Sequence, residues 1–251
     1  MSEAHAPLVT ALADDALVYA QRLGEWISRA PQIEEDMALG NIGLDLLGRA
    51  RALSGLLGGL DGSGRGEDDY AYWRDERQFL HLGLVERPRG DFAFEMVRLL
   101  LVSALDCERY AALASCADVE LAGVAAKSVV EARYHRDHAR LWVLRLGDGT
   151  EESHARMAGA LVGVAPYVEE LFEDTVVEVA AVEAGFGVLP SSLRAPVMGF
   201  VEGVLREATL DAVPEAGWRS RGGREGLHSE ACGYLLAEMQ HLARSHPGAT
   251  W

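Results

Sequence analysis

The chain has 251 residues, a formal net charge of −16 and a sequence pI near 4.9. So acidic a chain suits neither nucleic acid nor an anionic membrane surface, and neither is expected as a partner. With 49% hydrophobic residues it can bury a core as one compact domain over residues 1–251. The three cysteines, Cys107, Cys116 and Cys232, show no CxxC spacing and are odd in number, which argues against a disulfide framework and fits a reducing cytoplasm. Met1 to Leu8 lacks the basic region and apolar stretch of a signal peptide, and no apolar run reaches the roughly 18 residues of a membrane span.

Apolar residues recur at three and four through most of the chain, the helical period. They predict helices near 7–29, 32–59, 91–116, 118–146, 152–184, 191–211 and 227–245, with a shorter one over 70–84. Pro31 follows the first helix, and the Gly-rich stretch from Gly58 to Gly66 ends the second. Pro88, Arg89 and Gly90 precede Asp91, a suitable N-cap for the next long helix. Gly147 and Gly149 close the fourth long helix, and Gly185, Gly187 and Pro190 close the fifth. Pro166 lies inside that fifth pattern and is expected to kink or split it. No alternating strand pattern stands out, so the fold class is all-α, a bundle with peripheral helices.

Four long helices carry apolar stripes, and each has a mid-helix place where a di-iron bundle would put a ligand. Such a bundle needs a Glu from each of two helices and a Glu-x-x-His from each of the other two. Here those places read Ala16, Leu46 with Arg49, Ser103, and Ala132 with His135. One plausible ligand remains, which points away from catalysis by this chain and toward a partner role. Most stripe residues are ordinary core. Arg49, Asp106 and His135 are the exceptions, because a charge inside a bundle needs a partner. Either Arg49 fills the space of a metal and pairs with Asp45, Asp106 or Glu131, or its stem snorkels to solvent.

Other chemistries have less support. Glu131, His135 and His138 share one helix, and Glu238-Met239-Gln240-His241 is a literal Glu-x-x-His, but a single such match arises easily by chance. Gly222 to Gly226, with Arg219, Arg221 and Arg224 nearby, can be read as a phosphate-accepting loop, a docking loop or a solvated connection. Tyr72 and Trp73 lie in an aromatic and charged run of the kind common at interfaces, and Tyr167 and Phe172 join them as candidate contact residues.

Several runs carry a family resemblance: Arg22-Leu23-Gly24-Glu25-Trp26, Asn41 to Gly48, Asp75-Glu76-Arg77-Gln78-Phe79, Glu131-Ala132-Arg133-Tyr134-His135, Gly226-Leu227-His228, Leu236 to Gln240 and the terminal Trp251. Together they resemble the C subunits of phenylacetyl-CoA epoxidases, bacterial ring-1,2-phenylacetyl-CoA monooxygenases, across nearly the whole chain. The resemblance implies a ferritin-like four-helix bundle and a structural, non-catalytic subunit of a multicomponent oxygenase in aerobic phenylacetate breakdown. It implies no metal or other cofactor on this chain and no catalytic residue. The di-iron centre would belong to the catalytic A subunit, a ferritin-like relative. A small bridging subunit and an iron–sulfur flavin reductase would complete the assembly. Leu46 and Arg49, and Ala132 and His135, fall where the catalytic subunit has its two Glu-x-x-His motifs, while Ser103 and Ala16 fall near its other two acidic ligands. The alternative is a di-iron oxidase or oxygenase in its own right, built on Glu131, His135, Glu238 and His241. A third reading is a self-sufficient homo-oligomeric binding module.

Overall fold

The computed structural model describes residues 5–249; Trp251, one of the resemblance-bearing residues, lies outside the described residues. Every regular element among the described residues is helical. The chain divides into two compact units, one made of residues 89–220 and the other of the segments before and after it, 1–88 and 221–251.

In the discontinuous unit, α1 (His5–Gly24) and α2 (Ile33–Leu60) form a helical hairpin packed along its length. Leu12, Tyr19 and Leu23 on α1, and Leu39, Ile42, Leu46 and Leu53 on α2, are buried at helical spacing. The first helix stops at Gly24, short of the predicted end. Beyond it Ser28 adopts a positive φ of 65° and donates its amide to Asp36 Oδ1 at 2.6 Å, which turns the chain toward α2. The helix predicted over 70–84 shrinks to α3 (Glu67–Tyr72) and a 3₁₀ turn at Glu76–Gln78. Residues 79–88 are irregular because their polar backbone is claimed from elsewhere. Leu80 N–H donates to Asp14 Oδ2 and Leu82 N–H to Asp15 Oδ1, each at 2.9 Å, while Phe79, Leu82, Leu84 and Val85 are buried. The unit closes with a 3₁₀ turn at Gly223–Glu225 and the last helix of the chain, α9 (Glu230–Ser245), which packs on α3. Gly226 makes the turn possible: its φ is +73°, and a Cβ there would sit 2.2 Å from the Arg77 carbonyl oxygen.

In the continuous unit, α4 (Phe92–Leu113) and α5 (Val119–Gly147) form the second long hairpin. Asp91 caps α4 by accepting from Phe94 N–H at 2.9 Å, as its position predicts. Helix α4 is buried nearly all round, the pattern of a central helix. Against it pack α6 (Glu151–Val168) and α8 (Pro190–Glu207), with α7 (Val176–Glu183) between them in sequence. The single helix predicted over 152–184 is thus two. Pro166 does not end α6, which runs on to Val168, tightens into a 3₁₀ turn at Glu169–Phe172 and stops before Thr175 caps α7. Pro166 instead offers its carbonyl to Ser220 N–H at 2.8 Å.

Candidate functional site

The mid-helix positions singled out from the stripes are all buried: Ala16, Leu46, Arg49, Ser103, Ala132 and His135 are each at most 3% exposed. Three of the six carry no donor atom. The Ser103 hydroxyl is spent on its own helix, donating to the Leu99 carbonyl. Burial of Arg49 rules out the snorkelling alternative. Of its proposed partners, Asp106 accepts from Arg109 Nη2 at 2.6 Å and Glu131 pairs with Lys127 at 3.3 Å, while Asp45 is half-buried.

The interface candidates divide. Trp73 is 47% exposed and Tyr72 is partly exposed. Tyr167 and Phe172 are buried, which corrects their assignment to a contact surface: Tyr167 meets the Trp218 ring edge-on at 5.5 Å, and Arg194 lies over the Phe172 ring. The terminal Glu-x-x-His also fails, since Glu238 and His241 are exposed on α9 while Gln240 between them turns inward, donating to the Ala71 and Arg74 carbonyls at 3.0 Å each.

The concentrated polar chemistry lies within the discontinuous unit. Adjacent acids on α1 each take a buried arginine through both carboxylate oxygens. Asp14 holds Arg74, which also donates to the Tyr70 and Gln78 carbonyls and lies over the Phe79 ring. Asp15 holds Arg224 at 2.9 and 2.8 Å, with a further bond from Arg224 to Leu80 O. Arg224 is therefore committed to Asp15 and does not serve the phosphate-accepting loop considered above.

Next to these pairs, His81, Glu86, His228 and Cys232 come together, three of them buried and His228 nearly so. Glu86 is the hub. Its Oε2 lies 2.8 Å from His81 Nε2 and 3.3 Å from His228 Nδ1, and its Oε1 accepts from Ser229 N–H at 2.8 Å. Arg22 fastens the surrounding backbone, donating to Glu86 O and Ala231 O at 2.8 Å each. Burial works to raise the Glu86 carboxyl, but His228, His81 and Ser229 overcome it and hold it well below the usual range. Burial lowers His81 below its ordinary value. Burial also acts against charge on His228, yet Glu86 and the Phe79 carbonyl, 2.8 Å from Nε2, raise it. Burial pushes the Cys232 thiol far up, so it stays protonated. The three shifts run together: Glu86 favours its carboxylate, His228 its protonated ring and His81 its neutral ring.

Two imidazoles, a carboxylate and a thiol with donor atoms within 4.8 Å of one another are a set that zinc takes. The four residues are therefore a candidate metal-binding group. His81 and His228 stack with centroids 3.9 Å apart and planes 9° from parallel. Both rings also meet Glu86 Oε2, His81 at 2.8 Å and His228 at 3.3 Å. The cluster escapes a sequence reading because His81 and Glu86 are separated from His228 and Cys232 by all of residues 89–220. The available signals were His81 and Glu86 five apart and His228 and Cys232 four apart, neither of them a specific motif.

The all-helical architecture with its long helical hairpins is that of a ferritin-like helical bundle, and the chain belongs to the phenylacetic acid catabolic protein family, whose pattern it matches over residues 1–251. It is similar to the C subunit of the 1,2-phenylacetyl-CoA epoxidase of Escherichia coli (strain K12). The two are 43% identical over 240 residues, covering 96% of each chain. No helix among the described residues is long and apolar enough to cross a membrane.

Proposed function

We propose that this chain is a non-catalytic structural subunit of a phenylacetyl-CoA epoxidase, folding as one ferritin-like domain and supporting a separate di-iron catalytic subunit. One observation carries the reading. Ala16, Leu46 and Ala132, at the places the resemblance assigns to carboxylate ligands, are buried, and the Ser103 hydroxyl is turned back onto its own helix, which supports the reading. Without those ligands His135 cannot hold two irons.

A second feature supports a partner role. A surface helix is expected to be polar on its outer side. Helix α2 exposes Ile33, Met37, Leu44 and Leu47, and α5 exposes Val130, Tyr134 and Leu141. Each helix is thus apolar on two faces, one buried and one bare, and bare apolar faces mark contact surfaces. Similarity to a protein that is one subunit of an epoxidase supports other subunits as the partners: the catalytic one first, then the bridging and reductase components.

The test is metal content and epoxidation by the purified chain, alone and co-expressed with the catalytic subunit. The expected result is no epoxidation alone, and a stable, active complex together. About two irons per chain with activity alone would replace this reading with that of a di-iron enzyme.

A further inference from the structure

In the discontinuous unit, α1 and α2 do not close on each other along their outer side. A groove of about 430 Å³ runs between them. Ala20 and Gly40 lie in its lining, Met37, Leu44 and Leu47 contribute its apolar wall, and Asp36 supplies an acid. Gly40 shows why the groove exists. It stands inside a long helix, where glycine weakens the helix relative to alanine. A Cβ added there would meet nothing within 4 Å, so no neighbour in the chain requires glycine. What the missing side chain leaves is room.

The chemistry around the room selects its occupant. Met37 and Leu44 are each 65% exposed, so the wall is bare in the chain by itself. Asp36, whose Oδ1 accepts from Ser28 N–H, stands beside the exposed Glu34 in the first turn of α2, which makes that end acidic; the neighbouring Glu35 is buried. A second copy would bring another net charge of −16 and is a poor match. A helix with an apolar i, i+3, i+4, i+7 face and arginine or lysine near one end matches both the wall and the acids. We infer that the α1–α2 groove is the docking site for an amphipathic, base-flanked helix of the catalytic partner subunit. The inference rests on the structural-subunit reading and adds to it a place and a chemistry.

Two full-length variants test it: Gly40→Trp, which fills the room, and Leu44→Asp, which charges the wall. Each is co-expressed with the catalytic subunit and followed by co-purification and size-exclusion chromatography. Circular dichroism and melting of the chain alone check the fold, and Leu44→Asp decides if Gly40→Trp proves unstable. Val176→Asp, at a residue 80% exposed on α7, is the control. The expected result is binding weakened about tenfold or more by each groove variant and unchanged by the control. If the natural chain forms the complex and both groove variants bind within about twofold of it, the groove is not the docking site, yet the structural-subunit reading stands. If the natural chain forms no complex, both fall. If Gly40→Trp instead breaks up a homodimer of the chain alone, the groove is a self-interface and the inference is overturned.

Discussion

The two units handle buried charge in opposite ways. In the continuous unit the buried pairs Glu95–Arg98 and Asp106–Arg109 are each three residues apart on α4. One helix supplies both partners, and the pair forms whenever the helix does. In the discontinuous unit Asp14 and Asp15 reach Arg74 and Arg224, 60 and 209 positions away in sequence. The difference follows from backbone accounting. A helix satisfies its own amides, whereas the irregular segment 79–88 cannot, and buried amides need acceptors. Two carboxylates on the rigid α1 supply them to Leu80 and Leu82 while also neutralising the arginines. Polar side chains there take the part that helical hydrogen bonds play in the other unit.

The sharpest way to break this contrast is Asp14→Ala. It strands the buried Arg74 guanidinium and leaves Leu80 N–H without its acceptor. A loss of about 3–5 kcal/mol is expected, the range for removing one partner of a buried pair. Urea denaturation of the full chain measures it. A loss under about 1 kcal/mol, the level of an exposed pair, would mean that the segment is held by its apolar side chains, and the contrast between the units would lapse.

Legibility in the sequence follows the same division. Period-3.6 stripes predict the long helices because each has a buried face, and Asp91 is legible as a cap because the cap is local. The burial of Ala16, Leu46, Ser103 and Ala132 is legible because a buried face is written in helical spacing. The region from 70 to 84 misleads because its apolar residues are buried singly, in an irregular path fixed by α1. Tyr167 and Phe172 resemble contact residues by type alone, and burial is not written in residue type. The Glu86 cluster is invisible for the same reason as the two Asp–Arg pairs: its halves meet only in the folded chain.

A smaller effect probes that cluster through pH. The groups facing His228 are Glu86, His81 and Cys232, with Glu76 adding a longer-range charge. Raised in the folded state, His228 contributes stability that is complete below its unfolded value of 6.5 and is lost as pH climbs through the folded value. The lowered His81 and Glu86 act on the acid side, where their contributions fade as pH falls. Cys232 enters only above its unfolded value of 9.0. Between pH 6.5 and 9.0 the natural chain should therefore lose stability with rising pH, and His228→Gln should flatten that slope. An unchanged slope in the variant would show that the imidazolium–carboxylate pair does not form.

The smallest effect is expected at the surface of the continuous unit. Arg140 Nη2 donates to both oxygens of Glu207 at 3.0 and 2.7 Å, joining α5 to α8. On paper this pair resembles Asp14–Arg74, since both are charged, well formed and distant in sequence. The side chains differ in setting: Arg140 and Glu207 are 36% and 56% exposed, against 7% and 1% for Arg74 and Asp14. Water already solvates the exposed ions, so Glu207→Gln should cost under about 1 kcal/mol and less still at high salt. If it costs as much as Asp14→Ala in the same denaturation assay, distance in sequence would be the operative variable rather than burial. The account of segment 79–88 would then have to rest on chain connectivity, because the stranded charge that makes Asp14 expensive to remove has no counterpart at Glu207.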